Sequence, residues 1–393
     1  MTSRERYFKT FRGEKTDRMP ISLFVVEQGH FMSQVYPNTD PWDFEQQFKD
    51  LIEFNKQLGA DTFVRLLGDI AKPVPHILYG GVDISHQTDN WEVTTTEYVK
   101  GASTVQHSVI RTPDGTLEQD FTTTELHKGT YMYGCTKYPV QEEKDLDIII
   151  KYEPSMDDAY IPYIKKAVKR TKELVGDDGI VGGWVPYGPF NNCSHLIPHE
   201  ELYALFLTDP EYYEKLIAFS RDRFKPYTQA ILDAGLDVAC IGGNVPGGFL
   251  GKKSYDNYVA QYEREYVDFC QKDGCIGIYH NCGKIMALVD SYKNINVKCV
   301  EPFSPDPLGD ADIVEALKIV DGDYCVIGGV DQVNIIQGGT KEQVVDRTRE
   351  LALAGKKYGQ GRFIIQNADF LEYNTPVENV EAFVKTALEY GRY

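Results

Sequence analysis

Short apolar runs, separated by segments with helical periodicity, limit the folds open to this chain more than any other feature. Nearly every run precedes a stretch whose apolar residues recur three or four positions apart. The predicted strands span residues 21–26, 61–67, 180–184, 237–241, 276–280, 297–301, 324–328 and 362–366. Strands that are apolar on both faces and alternate with helices predict a parallel sheet covered by helices. Eight such units favour an α/β fold closed as a (β/α)8 TIM barrel, in one domain over residues 1–393. An open doubly wound sheet is disfavoured because no glycine-rich dinucleotide fingerprint follows the first strand.

Residues 90–126 interrupt this alternation. They are rich in threonine, partly alternate between polar and apolar side chains, and contain the turn sequence Pro113-Asp-Gly115. We predict an antiparallel β meander inserted into the barrel as a cap or rim element. The predicted helices span residues 3–12, 41–58, 156–175, 198–207, 209–234, 254–273, 284–292, 310–319, 340–356 and the segment from Pro376 onward.

The net charge and the cysteines limit the partners that the protein can bind and the compartment in which it is found. A formal net charge of −18 disfavours binding to nucleic acid or anionic lipid. The eight cysteines form no CxxC pair and most lie in apolar runs, which predicts free thiols in a reducing compartment. The sequence starts without a signal-peptide core and has no apolar stretch near the roughly 20 residues that span a bilayer. We therefore expect a cytoplasmic protein that does not enter membranes.

Two neighbouring strand ends carry a possible metal site. The run Ile276-Gly-Ile-Tyr-His280 continues into Asn281-Cys282, and the next apolar run ends at Glu301. If these runs are adjacent parallel strands, an imidazole, a thiol and a carboxylate meet at one end of the sheet, and such a trio could bind zinc. The alternative is structural, with His280 as a buried histidine bonded to the backbone and Cys282 as a small core residue.

Polar and aromatic residues recur at the other strand ends, where the active site of a TIM barrel lies. Each also has an ordinary structural explanation: Asp331 could cap a loop, Asn244 could form a turn, and the aromatic residues could belong to the core or line a substrate pocket. The candidates are Glu27, Gln28, His30, Arg65, Asp69, Trp184, Tyr187, Phe190, Asn191, Asn244, Asp331 and Asp369.

Several motifs together resemble the uroporphyrinogen decarboxylase-like superfamily, which implies a (β/α)8 barrel. They are Arg4-Glu-Arg-Tyr-Phe-Lys-Thr-Phe11, Asp17-Arg-Met-Pro20, His280-Asn-Cys-Gly283, Gly328-Gly-Val-Asp331 and Thr375-Pro-Val-Glu-Asn379. Porphyrinogen decarboxylases carry an Arg-Gln-Ala-Gly-Arg segment after strand one. Residues 26–32 contain no arginine here, so the chain is more similar to the corrinoid-dependent methyltransferase branch.

That resemblance implies a zinc ion held by His280 and Cys282. Thiol-methylating members have another cysteine after the last strand, where this chain has Asn367-Ala-Asp369, so Glu301 and Asp369 are expected to complete a harder ligand set. The pattern looks like the first methyltransferase of O-demethylase systems.

Such an enzyme moves a methyl group from a methyl ether, often aromatic, to the Co(I) corrinoid of a partner protein. The corrinoid must come from that partner, because the chain lacks an Asp-x-His-x-x-Gly signature. We expect catalytic roles for Glu301, Asp331 and Asn244, and an aromatic-ring site formed by Trp184, Tyr187, Phe190 and Asn191. A decarboxylase or other lyase, and a non-catalytic small-molecule-binding barrel, are the alternatives; a homodimer is left open.

Overall fold

Eight parallel strands form the central sheet of the protein. A computed structural model describes residues 1–25, 31–40, 43–66, 81–127, 130–154, 161–245 and 247–393. The strands are β1 Ile21–Ser22, β2 Thr62–Leu66, β3 Glu92–Lys100, β4 Ser103–Thr112, β5 Gly115–His127, β6 Thr130–Lys137, β7 Gly179–Val185, β8 Val238–Gly242, β9 Ile276–His280, β10 Cys299–Phe303, β11 Cys325–Val330 and β12 Phe363–Asn367. The parallel sheet has the order β1-β12-β11-β10-β9-β8-β7-β2, and helices follow most of its strands. The predicted (β/α)8 barrel is confirmed.

Asp61 closes the seam between β1 and β2. Its backbone N–H donates to the carbonyl of Ile21 at 2.7 Å, and its carboxylate accepts from the Ile21 N–H at 2.8 Å. The same buried carboxylate pairs with the guanidinium groups of Arg6 and Arg18. Because opposite charges surround Asp61, its burial is compensated and the two end strands are held together.

The helices cover the outside of the barrel, and α1 covers one end. The helices are α1 Ser3–Arg12, α2 Phe31–Val35, α3 Phe44–Leu58, α4 Glu143–Tyr152, α5 Ile161–Val175, α6 Pro189–Cys193, α7 His199–Thr208, α8 Pro210–Arg223, α9 Lys225–Asp233, α10 Gly247–Ser254, α11 Ala260–Cys270, α12 Ile313–Val320, α13 Lys341–Tyr358 and α14 Val377–Tyr390. Tyr7 and Phe11 on α1 pack with Phe63, Ile278 and Ile364 in a cluster inside the barrel. None of the helices that the structure describes is long and apolar enough to cross a membrane.

The predicted meander is present and is longer than expected. Strands β3 to β6 form an antiparallel sheet in sequence order, and β6 extends it to Lys137, beyond the predicted limit at 126. Val93, Ile110 and Leu117 bury one face of this sheet. Gln119 on that face accepts a hydrogen bond from the Val82 N–H at 3.0 Å, which ties the meander to the segment after β2.

Three predicted helices differ from those observed. The predicted helix 209–234 breaks between α8 and α9 because Pro226 lacks the N–H that would continue the first helix. The helix predicted at 254–273 starts with a π-helical segment, Tyr255–Val259. The helix predicted at 284–292 is replaced by two 3-10 turns, Met286–Leu288 and Ser291–Ile295; Asp310 accepts the N–H groups of residues 285 and 286 and fixes the start of that segment.

Candidate metal centre at the carboxyl end of the barrel

His280, Cys282 and Asp369 lie together at the carboxyl end of the barrel. His280 is the last residue of β9, Cys282 follows two residues later, and Asp369 follows the end of β12 by two residues. One potential ligand atom from each side chain lies within 4.8 Å of the other two. His280 is buried, whereas Cys282 is exposed. An imidazole nitrogen, a thiol sulfur and a carboxylate oxygen are all ligand types that zinc accepts, so this donor set fits a zinc ion.

Asn367 fixes the loop that carries Asp369. Its side-chain amide donates to the Asp369 carbonyl at 2.6 Å and to the Phe24 carbonyl at 2.9 Å. The Asn367 side-chain oxygen in turn accepts from the Phe24 N–H at 2.9 Å. The Asp369 N–H donates to Gln332 at 3.1 Å. These bonds fix the backbone on both sides of Asp369, so the point at which its side chain leaves the backbone is well defined. Burial raises the pKa of Asp369 above the usual range of an aspartate.

Glu301 lies beside His280 but belongs to a different pair. Residues 280 and 301 are neighbours in the register of β9 and β10, and Nδ1 of His280 lies 3.2 Å from Oε1 of Glu301. Both Glu301 oxygens also accept hydrogen bonds from the two terminal nitrogens of Arg65, with Nη2 at 2.6 Å from Oε2. Glu301 was predicted as a metal ligand, but it is not a member of the grouped trio. Its carboxylate is engaged by Arg65 and the imidazole.

The charge of His280 follows from these neighbours. Burial disfavours the imidazolium, but hydrogen bonds with Cys282 and Glu301 and the charge of Asp369 outweigh burial and raise the pKa of His280 to about 10. Burial likewise opposes ionisation of Glu301, yet Arg65 and His280 hold the pKa of that carboxyl well below its usual range. Without a cation the site therefore binds a proton on His280. A metal ion that binds the imidazole has to displace that proton.

Asn244 and Trp184 also border the trio, as two of the predicted site residues. The Cys282 thiol donates to Oδ1 of Asn244 at 3.6 Å, and the Asn244 N–H donates to the His280 carbonyl at 3.3 Å. Asn244 adopts a positive φ of 45°, a conformation that asparagine tolerates better than most residues. The Trp184 ring and the imidazole form a T-shaped pair with centroids 5.3 Å apart. Phe24, which the sequence did not single out, packs on the same imidazole at 6.0 Å.

Tyr187 lies at the edge of this group, but Phe190 and Asn191 do not line it. The Tyr187 ring stacks on His195 at 5.2 Å; burial raises the pKa of Tyr187, with smaller contributions from Tyr133 of the meander and from Cys282. Phe190 is only 1% exposed and stacks on a neighbouring tyrosine. Asn191 donates its side-chain amide to the Gly242 carbonyl. The ring-binding role of Phe190 and Asn191 stays a prediction, and the contacts observed here are those of buried, packed residues.

Asp331 caps the segment that follows β11. One carboxylate oxygen accepts the N–H groups of Val333 and Asn334 at 2.9 and 2.8 Å, and the other accepts the side-chain amide of Asn334 at 2.8 Å. Both oxygens are thus occupied by the π-helical segment Gln332–Gln337. Of the two explanations that the sequence left open, the cap is present in the structure, and the catalytic role of Asp331 stays a prediction. The candidates Glu27, Gln28, His30 and Asp69 lie outside the residues that the structure describes.

The comparison with family models matches residues 129–390 to the family described as uroporphyrinogen decarboxylase (URO-D), which is well over half of the chain. The chain belongs to the URO-D family. The resemblance seen in the sequence motifs is therefore confirmed, and the arginine-rich segment of the decarboxylases is not found at residues 26–32 of this URO-D protein.

Curated relatives of this URO-D protein are named as methyltransferases. A methylated-thiol–coenzyme M methyltransferase of Methanosarcina mazei is 25% identical over 202 residues, 51% of each chain. The methylcobamide:CoM methyltransferase MtaA of Methanosarcina barkeri is 23% identical over 231 residues, 58% of this chain and 64% of the relative. The chain thus matches about half the length of the first relative. A solved structure of a methyltransferase from Methanosarcina mazei has the same fold, with a TM-score of 0.68, 15% identity and 99% of both chains covered.

Proposed function

We propose that this URO-D protein is a methyltransferase that moves a methyl group from a methyl ether, most favourably an aromatic one, to the Co(I) corrinoid of a partner protein, assisted by zinc. The observation that carries the proposal is the trio of His280, Cys282 and Asp369 at the carboxyl end of the barrel. The names of the relatives support the reaction class, since both are methyltransferases and one acts on a methylcobamide.

The trio is suited to neutralise an oxygen leaving group. When an ether is demethylated, the C–O bond breaks with its electron pair on oxygen, while Co(I) supplies the pair that forms the methyl–cobalt bond. A zinc ion would supply Lewis acidity at that oxygen. The ionised forms of Cys282 and Asp369 carry two negative charges, which would balance the charge of the ion. The carboxylate of Asp369 is a harder donor than a second thiolate, which favours an oxygen-containing substrate over a thiol.

The surroundings of the trio are suited to a flat substrate and a large partner. The Trp184 ring contacts the His280 imidazole, and Tyr187 lies within electrostatic reach of Cys282. Aromatic side chains of this kind favour contact with an aromatic ring. The Cys282 side chain is exposed, which supports access to the trio by a large partner.

A second candidate is methyl transfer to or from a thiol. The names of both relatives favour it, because one is named for methylated thiols and both are named for coenzyme M. Asp369 is the residue on which the two proposals differ. The ether proposal assumes that its oxygen ligand favours an oxygen-containing substrate, whereas the thiol proposal requires that zinc with this oxygen ligand can still bind and activate a thiol.

A methyl-transfer assay tests both proposals. Purified protein, with its zinc content measured, is mixed with cob(I)alamin and either a panel of methoxylated aromatics or their methylthio counterparts, and methylcobalamin is followed by absorbance. We expect turnover of an ether, and its loss in Cys282→Ser but not in Cys135→Ser, a matched change on the meander. Turnover of methylthio compounds alone would support the second candidate. A zinc-loaded protein that demethylates no ether, or that releases CO₂ from a carboxylate instead, would refute the ether proposal.

A further inference from the structure

Phe249 is the most exposed large apolar side chain in the part of the chain that the structure describes. It is 86% exposed and belongs to α10, the helix that follows β8. Its ring stacks on Tyr203 with centroids 6.5 Å apart and 13° between the planes, and Tyr203 stacks on the buried Phe190 at 6.0 Å. This column of rings runs from the core to the surface and restricts the motion of Phe249. Little side-chain freedom is therefore left to lose when a ligand covers the exposed ring.

Helix α10 lies against the segment that carries Cys282. A Cβ atom at Gly247 would lie 2.6 Å from the carbonyl oxygen of Lys284, and one at Gly248 would lie 3.4 Å from Cδ of the same lysine. Lys284 follows Cys282 by two residues, and Phe249 follows Gly248 directly. Because neighbouring Cα atoms are only about 3.8 Å apart, Phe249 and Lys284 lie together on the rim of the barrel mouth, beside the exposed thiol of the trio.

Lys284 adds a positive charge to this rim. It is exposed, and no carboxylate among the described residues forms an ion pair with its ammonium group. Lys252 on α10, by contrast, pairs with Asp256 and Asp290. The nearby Asp310 accepts the N–H groups of residues 285 and 286 instead. In a chain with a formal net charge of −18, an unpaired lysine at the barrel mouth is a local positive site that favours electron-rich ligands over cations.

The corrinoid of the proposed reaction has the chemistry to fit this rim. Corrin is a wide, nearly flat macrocycle fringed with methyl groups and amide side chains, so it offers apolar contact to an aromatic ring and carbonyl acceptors to a lysine. Its cobalt has to reach a methyl carbon held at the trio, so the macrocycle must cover the neighbouring rim. We propose that Phe249 and Lys284 form the surface that receives the corrinoid, Phe249 by packing on the macrocycle and Lys284 by donating to its amides. The proposal rests on the methyl-transfer function proposed above.

The charge of Lys284 also distinguishes the two states of the corrinoid. The corrin ligand carries one negative charge, so the Co(I) corrin is neutral as a unit. Transfer of the methyl group leaves methyl-Co(III), and the corrin unit then carries one positive charge. Lys284 therefore repels the methylated product but not the Co(I) reactant. For two unit charges roughly 8 Å apart in water, Coulomb's law gives about a twofold difference in affinity. This difference favours release of the methylated corrinoid after each transfer.

Free cobalamin tests this surface without a partner protein. Methyl transfer from an ether to cob(I)alamin is measured in wild type, in Phe249→Ala, and in Leu353→Ala, a matched change of an exposed apolar residue on the outer helix α13. Binding of methylcobalamin, which needs no turnover, is measured for the same proteins by equilibrium dialysis. Lys284→Gln and Lys385→Gln, which changes an exposed lysine on α14, form the second pair.

The expected results differ between the variants and their controls. Phe249→Ala raises the KM for cob(I)alamin and the Kd for methylcobalamin about tenfold, since covering about half of a phenylalanine side chain is worth roughly that factor, while kcat and the KM of the ether stay unchanged. Leu353→Ala changes none of these constants. Lys284→Gln lowers the Kd of methylcobalamin relative to the KM of cob(I)alamin about twofold at low ionic strength. The difference disappears at about 1 M salt because of screening, and Lys385→Gln leaves the ratio unchanged.

The contrary outcomes separate the surface from the function. If Phe249→Ala matches Leu353→Ala in every constant, the exposed ring does not receive the corrinoid, while methyl transfer by wild type still supports the proposed function. An unchanged ratio in Lys284→Gln removes that lysine from the surface. If wild type transfers no methyl group but binds methylcobalamin in a way that depends on Phe249, the function fails and the surface stands. A wild type that neither transfers a methyl group nor binds methylcobalamin refutes both.

Discussion

Replacing Glu263 with glutamine is expected to change how the stability of the protein responds to pH. Glu263 lies on α11, is fully buried, and accepts a hydrogen bond from the Phe190 N–H at 3.1 Å. A Cβ atom at Gly188 would lie 2.3 Å from its second oxygen, so the loop after β7 rests directly on this carboxyl group. Burial disfavours the charged form and outweighs the Phe190 N–H and the nearby Tyr279 hydroxyl. The pKa of Glu263 is raised from 4.5 to about 7.

The sign and size of the effect follow from proton linkage. Between pH 4.5 and pH 7 the native state keeps a proton on Glu263 that the unfolded chain has lost. The free energy of unfolding therefore falls as the pH rises through this window, by about 1.4 kcal/mol per pH unit and about 3 kcal/mol in all, and levels off above it. Glutamine keeps the acceptor for Phe190 but carries no proton to lose. The variant is expected to match wild type near pH 4.5 and to exceed it by about 3 kcal/mol above pH 7.

Urea unfolding at several pH values between 4.5 and 8 measures this difference. Subtracting the wild-type curve from the variant curve removes the contribution of all other titrating groups. Glu265→Gln is the matched control on the same helix: its side chain is 55% exposed, and solvent screening limits its effect to about 0.5 kcal/mol at every pH. A Glu263→Gln difference that stays constant across the pH range would show that the carboxyl group is already ionised in the native state and would refute the reasoning.

Three further changes test the assignments made at the barrel end. Asp331→Ala removes the cap of the segment after β11 and is expected to lower the free energy of unfolding by about 1 kcal/mol with no loss of bound zinc; a loss of zinc would restore a role at the site. Phe190→Ala is expected to lower the free energy of unfolding, measured with urea, by about 3–5 kcal/mol. A change below about 1 kcal/mol would mean that the ring is not part of the core. Asp369→Asn is expected to weaken zinc binding by at least tenfold in chelator competition, since the amide is a poorer donor; unchanged affinity would remove Asp369 from the ligand set.

The barrel could be predicted because the pattern of short apolar runs that marks its strands is a local property of the sequence. Each strand is a short apolar run, and the register that places His280 beside Glu301 follows once β9 and β10 are parallel neighbours. The fourth meander strand was missed. Thr130–Lys137 contains Gly134 and two exposed apolar residues, Met132 and Tyr133, so the alternation that marks a half-buried strand is weak there.

The partners of the site residues could not be read from the sequence. Arg65 and Glu301 are separated by 236 positions, and only closure of the barrel shows that they face each other. An aromatic residue after a strand can line a pocket or belong to the core, and the sequence alone did not show that Phe190 is buried. Glu263 did leave a signal: it lies four residues after Val259 and four before Val267, both fully buried, so it occupies a core position of its helix.

The pair of hydrogen bonds between the Asn367 side chain and the Phe24 backbone has a consequence for how the protein folds during synthesis. These residues are 343 positions apart, and Asn367 is also the residue that holds Asp369. A ribosome releases His280 and Cys282 well before it has synthesised β12, so a nascent chain offers a cation only two of the three donors. The third arrives when the last strand inserts beside the first. If the trio binds zinc as proposed, retention of the metal would report on completed assembly of the barrel.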